Sequence, residues 1–185
     1  MPIVSDAKDW TWVLERSCPD CGCDSSTRPR DQIVPLIEIN ARTWPTLLGG
    51  SAARLRQRPQ DDQWSLLEYA CHVRDVFERY DERLRLMLDQ DNPNLANWDR
   101  DRSAVDDRYN EQDPAMVAAQ IVVAADRLGA SFRSVTDESW ERRGTRIDGA
   151  DFTVDGFGRS MIHDPMHHLH DVNVDIAALV PPPAG

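Results

Sequence analysis

The chain has 185 residues and carries 21 Lys plus Arg against 32 Asp plus Glu, a formal net charge of −11. That length suits one compact domain with a real core, and the acidic balance argues against a nucleic-acid partner, whose phosphates it would repel. No run of eighteen apolar residues marks a membrane span.

The N-terminus, Met1 to Asp6, lacks the basic and apolar regions of a signal peptide, so a cytoplasmic protein is expected. In a reducing compartment Cys18, Cys21, Cys23 and Cys71 should not build a disulfide framework.

Residues 1–30 read as an irregular arm, with Trp10, Trp12 and the knuckle Cys18-Pro19-Asp20-Cys21-Gly22-Cys23. A C-x-x-C-G turn is half of a zinc ribbon, and no second C-x-x-C follows. Two readings stand: an arm with free or loosely paired thiols packed on the domain, or a zinc knuckle completed by Cys23 or by a side chain from elsewhere.

Four helices are predicted over residues 31–180. The first runs from Asp31 to Leu48, with Pro45 near its end. The second begins near Gln63 or Trp64 and reaches Gln90, with Tyr69, Val73, Val76, Tyr80, Leu84 and Met87 as its apolar stripe. His72 falls on that side and points inward. Residues 92–113 form a long connection with Trp98 and Tyr109, long enough to fold over one end as a lid. The third helix is capped by Asp113 ahead of Pro114 and runs to Val135. Asp151 to Val154 reads as extended. The fourth helix runs from Thr153 or Phe157 to Leu179, and the Pro-rich tail at 181–185 ends it.

Four of the five histidines fall between His163 and His170; the fifth is His72. On one helix His163 and His167 share a face, His170 lies on it, and His168 turns away. Two imidazoles one turn apart plus His72 from a facing helix make a three-histidine metal site with an open position. Zinc, nickel and iron all suit such ligands. Asp75, Asp164 and Asp171 are the carboxylates placed to orient an imidazole. This assignment requires the helix to continue through Pro165.

The His72 segment, Trp64 to Asp75, together with the closing H-x-x-x-H helix, His163 to Val172, resembles the DinB-like superfamily over residues 31–179. The arm lies outside that pattern. The resemblance implies an all-α, four-helix bundle with up-down-down-up connections, commonly dimeric, with metal ligands at His72, His163 and His167. It also implies a divalent metal and a small-molecule substrate. Members include thiol transferases that use low-molecular-weight thiols, among them the mycothiol-dependent maleylpyruvate isomerase. The chain departs from the frequent H-H-x-G-Q ending, having His168-Leu169-His170-Asp171. Three functions follow as expectations: metal-dependent thiol S-transfer, metal-dependent hydrolysis, or a non-enzymatic metal-binding role. His170, Asp75 and Asp171 are expected around the metal ligands, and Cys18, Cys21 and Cys23 form a candidate separate zinc or thiol site.

Overall fold

In the computed structural model, residues 10–179 are described. Four long helices form the bundle: α1 (Ile33–Leu47), α3 (Leu66–Asp89), α5 (Pro114–Arg133) and α6 (Val154–Asp171). Two short helices, α2 (Ala52–Leu55) and α4 (Arg100–Asp106), lie in the connections. α3 packs against α5 and α6, and α1 packs against the same two helices, so α1 and α3 sit on one diagonal.

Local chemistry sets the helix starts. Ser65 caps α3 and accepts from the Glu68 backbone N–H, while the Glu68 carboxylate reaches back to the Ser65 N–H at 2.8 Å, a capping box. Arg58 holds the same carboxylate, tying the preceding loop to the helix. Asp113 caps α5 through the N–H groups of Ala115 and Met116, with Pro114 at the first position. By length and mean hydropathy α5 could cross a membrane, although it holds no run of eighteen apolar residues. Its buried residues, Val117, Ile121, Leu128 and Phe132, belong to the bundle core.

The structure differs from expectation at the end of α6 and in the long connection. α6 ends at Asp171, short of Leu179, and only a turn of 3-10 helix at Ile176–Ala178 follows. The Pro-rich tail expected to stop it lies outside the described residues. The long connection before α5 is not structureless. It holds β1 (Asn94–Leu95), α4 and a 3-10 turn at Tyr109–Glu111. β1 pairs in parallel with β2 (Arg143–Arg146), and β2 pairs antiparallel with β3 (Asp151–Thr153), which covers the segment expected to be extended except Val154, the first residue of α6.

α6 continues through Pro165. Asn40 of α1 is fully buried and donates to the Pro165 carbonyl at 2.7 Å, while its own oxygen accepts from Trp44 Nε1 at 3.0 Å. This satisfied polar link fixes α1 to α6 beside the proline. Gly158 allows the closest approach: a Cβ there would lie 2.8 Å from Ile33 and 2.9 Å from Phe132.

Candidate metal centres on two flanks of one helix

Since α6 is unbroken, its residues advance by about 100° each. The core stripe passes through Ile162, Met166 and Leu169. His163 and His167 then fall on one flank of the stripe, and Asp164 and His168 on the other. The bundle brings different neighbours to the two flanks, and the polar side chains divide accordingly.

On the α3 flank, His72 is fully buried and its Nε2 lies 3.2 Å from Asp164 Oδ1. His168 Nε2 approaches the same oxygen at 3.1 Å, but off the line of a good hydrogen bond. The other His168 nitrogen, Nδ1, is 2.9 Å from Asp171 Oδ2. That contact orients the ring and leaves Nε2 facing Asp164 and His72, the carboxylate–histidine arrangement that supports metal ligands. The rings of His72 and His168 meet edge to face, with centroids 4.9 Å apart. Trp98, from the long connection, stacks on His72 at 5.2 Å and 12°. From the connection expected to fold over one end of the bundle, the structure thus places one indole against the histidine. His72 Nδ1 is buried with no hydrogen-bond partner among the described residues. A histidine kept only to stabilise a core would normally satisfy both nitrogens.

On the arm flank, the knuckle meets α6. Cys18 Sγ is 3.7 Å from His167 Nδ1, and Cys21 Sγ is 3.8 Å from His163 Nε2. The knuckle closes on itself, with Cys18 N–H donating to the Cys23 carbonyl and Gly22 N–H to the Cys18 carbonyl, both at 2.9 Å. Gly22 has φ +72°, a left-handed conformation that suits glycine. Trp10 covers the two histidines, with centroids 5.2 Å from His163 and 5.5 Å from His167.

The electrostatics differ between the flanks. Burial pushes His163 down to about 4 and also lowers His167, so both rings are neutral near pH 7. Burial likewise pushes the Cys21 thiol up to about 12. His72 is lowered by burial, against the opposing pull of Asp164. For His168, burial is outweighed by the Asp164 and Asp171 carboxylates, which lift it to about 9. Asp164 is held well below its ordinary range, because His72 and His168 together overcome its desolvation.

Among the described residues, the donor atoms that come within 4.8 Å of one another thus form two groups, His72–Asp164–His168 and Cys18–Cys21–His163–His167. The trio His72, His163 and His167 expected from the sequence is split between them. His168, expected to turn away, belongs to the first group. The signal was available: Asp164 and His168 are spaced four apart just as His163 and His167 are, one residue further on. Asp171 does orient His168, as a supporting carboxylate should. Asp75 does not reach either group; it binds Arg74 Nε at 2.7 Å and the Tyr109 hydroxyl. His170 is exposed and joins neither group, and Cys23 is buried beside the knuckle without entering the second group.

Both groups border a cavity of about 390 Å³. Its wall includes Trp10, Trp98, Arg83, Arg100, Arg146, Asp99 and Asp148, together with His72, Asp164, His168, His163 and His167.

The model of the DinB superfamily matches residues 36–172. The chain belongs to the DinB superfamily. No curated protein matches it. Among solved structures it is similar to YfiT from Bacillus subtilis, described as a probable metal-dependent hydrolase with an unusual four-helix bundle topology. That match has a TM-score of 0.69 at 18% identity and covers 80% of this chain and 87% of YfiT. The mycothiol-dependent maleylpyruvate isomerase matches with a TM-score of 0.65 at 11% identity, over 81% of this chain and 63% of the isomerase. At these identities the likeness concerns the DinB fold: a four-helix bundle, as the resemblance implied.

Proposed function

We propose that this DinB-superfamily chain is a metal-dependent enzyme whose divalent ion is held by His72, Asp164 and His168, and that it hydrolyses a small anionic substrate. The observation that carries this is the convergence of His72 Nε2 and His168 Nε2 on one Asp164 oxygen, at 3.2 Å and 3.1 Å, beside the cavity. Two imidazoles and one carboxylate form a known catalytic donor set for zinc and for iron. The donor set fits an ion on two further counts. His168 is already oriented by Asp171, and its Nε2 is buried with no hydrogen-bond partner among the described residues, as a donor atom awaiting an ion would be.

The ion would supply Lewis acidity and lower the pKa of a water or thiol that reaches it. The chain's own groups do the rest. Arg83, Arg100 and Arg146 line the cavity, Arg83 donating to the Ala96 carbonyl at 2.7 Å and Arg146 paired with Asp148, and their positive charge favours an anionic substrate. Asp148 is held low, chiefly by its Arg146 hydrogen bonds, and so is a poor base. Asp99 is the N-cap of α4, its Oδ1 accepting from the Arg102 N–H at 2.9 Å. Trp98 excludes water from one face of His72.

Thiol transfer is the second reading. It is supported by the fold likeness to the mycothiol-dependent isomerase, and the same ion would activate a thiol. Hydrolysis ranks first because a cavity of about 390 Å³ lies near the small end for ligand sites and suits one small molecule.

The test loads the purified chain with zinc, iron or nickel and offers it small anionic esters, amides and lactones, then electrophiles together with low-molecular-weight thiols. Metal-dependent hydrolysis that falls by at least about a hundredfold in His168→Ala is expected. Turnover only with added thiol would transfer the assignment to the second reading, and no turnover in either set would sink both.

A further inference from the structure

We infer that Cys18, Cys21, His163 and His167 form a second, structural metal site that takes zinc and fastens the N-terminal arm to α6. The inference is independent of any activity at His72. It rests first on geometry. A tetrahedral zinc ion with bonds of about 2.3 Å to sulfur and about 2.0 Å to nitrogen has sulfur–nitrogen edges of about 3.5 Å. Two of the four such edges, Cys18–His167 and Cys21–His163, are 3.7 Å and 3.8 Å. All four donor atoms lie within 4.8 Å of one another.

The donors are also of the right kind. Two thiols and two neutral imidazoles are the ligand set of a closed zinc site. The cysteines are free, so no disulfide consumes them. Binding would release the thiol protons of Cys18 and Cys21 to solvent, with no change of oxidation state. Two thiolates then balance the charge of the divalent ion, which lowers the cost of burying it. Cys18, Cys21 and His163 are buried, and Trp10 lies over both imidazoles.

Four protein donors leave no position for substrate, so this site is structural. Its consequence for the cavity is direct. Trp10, His163 and His167 form part of the cavity wall. An ion at the knuckle would hold that wall in place and so set the shape of the cavity. The His-x-x-x-His pair and the adjacent Asp-x-x-x-His pair would then use one stretch of helix for two ions, one on each flank.

Cobalt provides the test, because only this site contains sulfur. The tag-free chain is stripped, loaded with Co(II), and read by absorption spectroscopy. Thiolate-to-cobalt charge transfer with intense tetrahedral ligand-field bands is expected. These features should persist in His72→Ala and disappear in Cys18→Ser and in Cys21→Ser. A cobalt spectrum without charge transfer, or one unchanged in Cys21→Ser, would overturn the site. If the cysteine variants fail to fold, X-ray absorption at the zinc edge of the wild-type protein decides. Sulfur scatterers at about 2.3 Å support the site, and a shell of nitrogen and oxygen alone overturns it. An enzyme inactive in every assay but showing the sulfur band would sink the catalytic reading and leave this one intact.

Discussion

His168 is the residue whose environment most changes its meaning. As a neighbour of two other histidines it looks like a solvated spare. In the fold it is nearly buried, faces Asp164 through one nitrogen and is gripped by Asp171 at 2.9 Å through the other. A carboxylate behind an imidazole fixes its tautomer and strengthens it as a ligand. Asp171→Asn should therefore leave the helical content intact and weaken metal binding at the His72 group by about 10–100-fold. Competition titration against a chelator would measure this, and an unchanged affinity would remove Asp171 from the site. His72 itself was legible as an inward-facing residue of the α3 stripe. Its partners were not, because a helical repeat says which face a side chain occupies and nothing about which neighbour covers that face.

At the scale of elements, the bundle helices followed from patterning and caps. Asp113-Pro114 set the start of α5, and the stripe from Tyr69 to Met87 set α3. Ser65 and Glu68 also spelled a capping box, which places the start of α3 two or three residues later than the apolar stripe alone suggests. The end of α6 could not be read the same way, since Val172 to Leu179 is as apolar as the helix before it. Packing of α6 on α1 and α5 depends on a glycine. Gly158→Ala would gain about 1 kcal/mol of helix propensity, but its methyl group would press on Ile33 and Phe132, both buried. Overpacking of this kind costs about 1–3 kcal/mol and should prevail. Thermal melting should show a lower midpoint, and an equal or higher one would mean that the α1–α6 spacing is soft.

The whole molecule carries a charge of −11 and still holds carboxylates inside it. Glu68 is buried, which by itself raises its pKa, yet the hydrogen bonds from Arg58 and Ser65 bring it below its ordinary value. A carboxyl lowered in the folded state stabilises the fold above its unfolded pKa of about 4.3, and that contribution is lost as pH falls toward the folded value. Glu68→Gln should cost about 1–3 kcal/mol at neutral pH by breaking the link between Arg58 and α3. Its stability should also change less than that of the wild type between pH 4.3 and more acidic conditions. Denaturant titrations across that range would show it, and parallel curves for the two proteins would exclude Glu68 as a source of acid sensitivity.

The sequence by itself determined the helices, the inward direction of His72, the continuation needed through Pro165, and the presence of both a C-x-x-C knuckle and an H-x-x-x-H pair. These are local matters, set by spacing, caps and side-chain chemistry over a few residues. Only the tertiary structure decided that the knuckle meets His163 and His167, and that His72 meets Asp164 and His168. The physical reason is the geometry of α6. Residues one apart differ by about 100° around the helix, so two adjacent i, i+4 pairs face different neighbours, and the placement of the arm and of α3 alone settles which pair each receives.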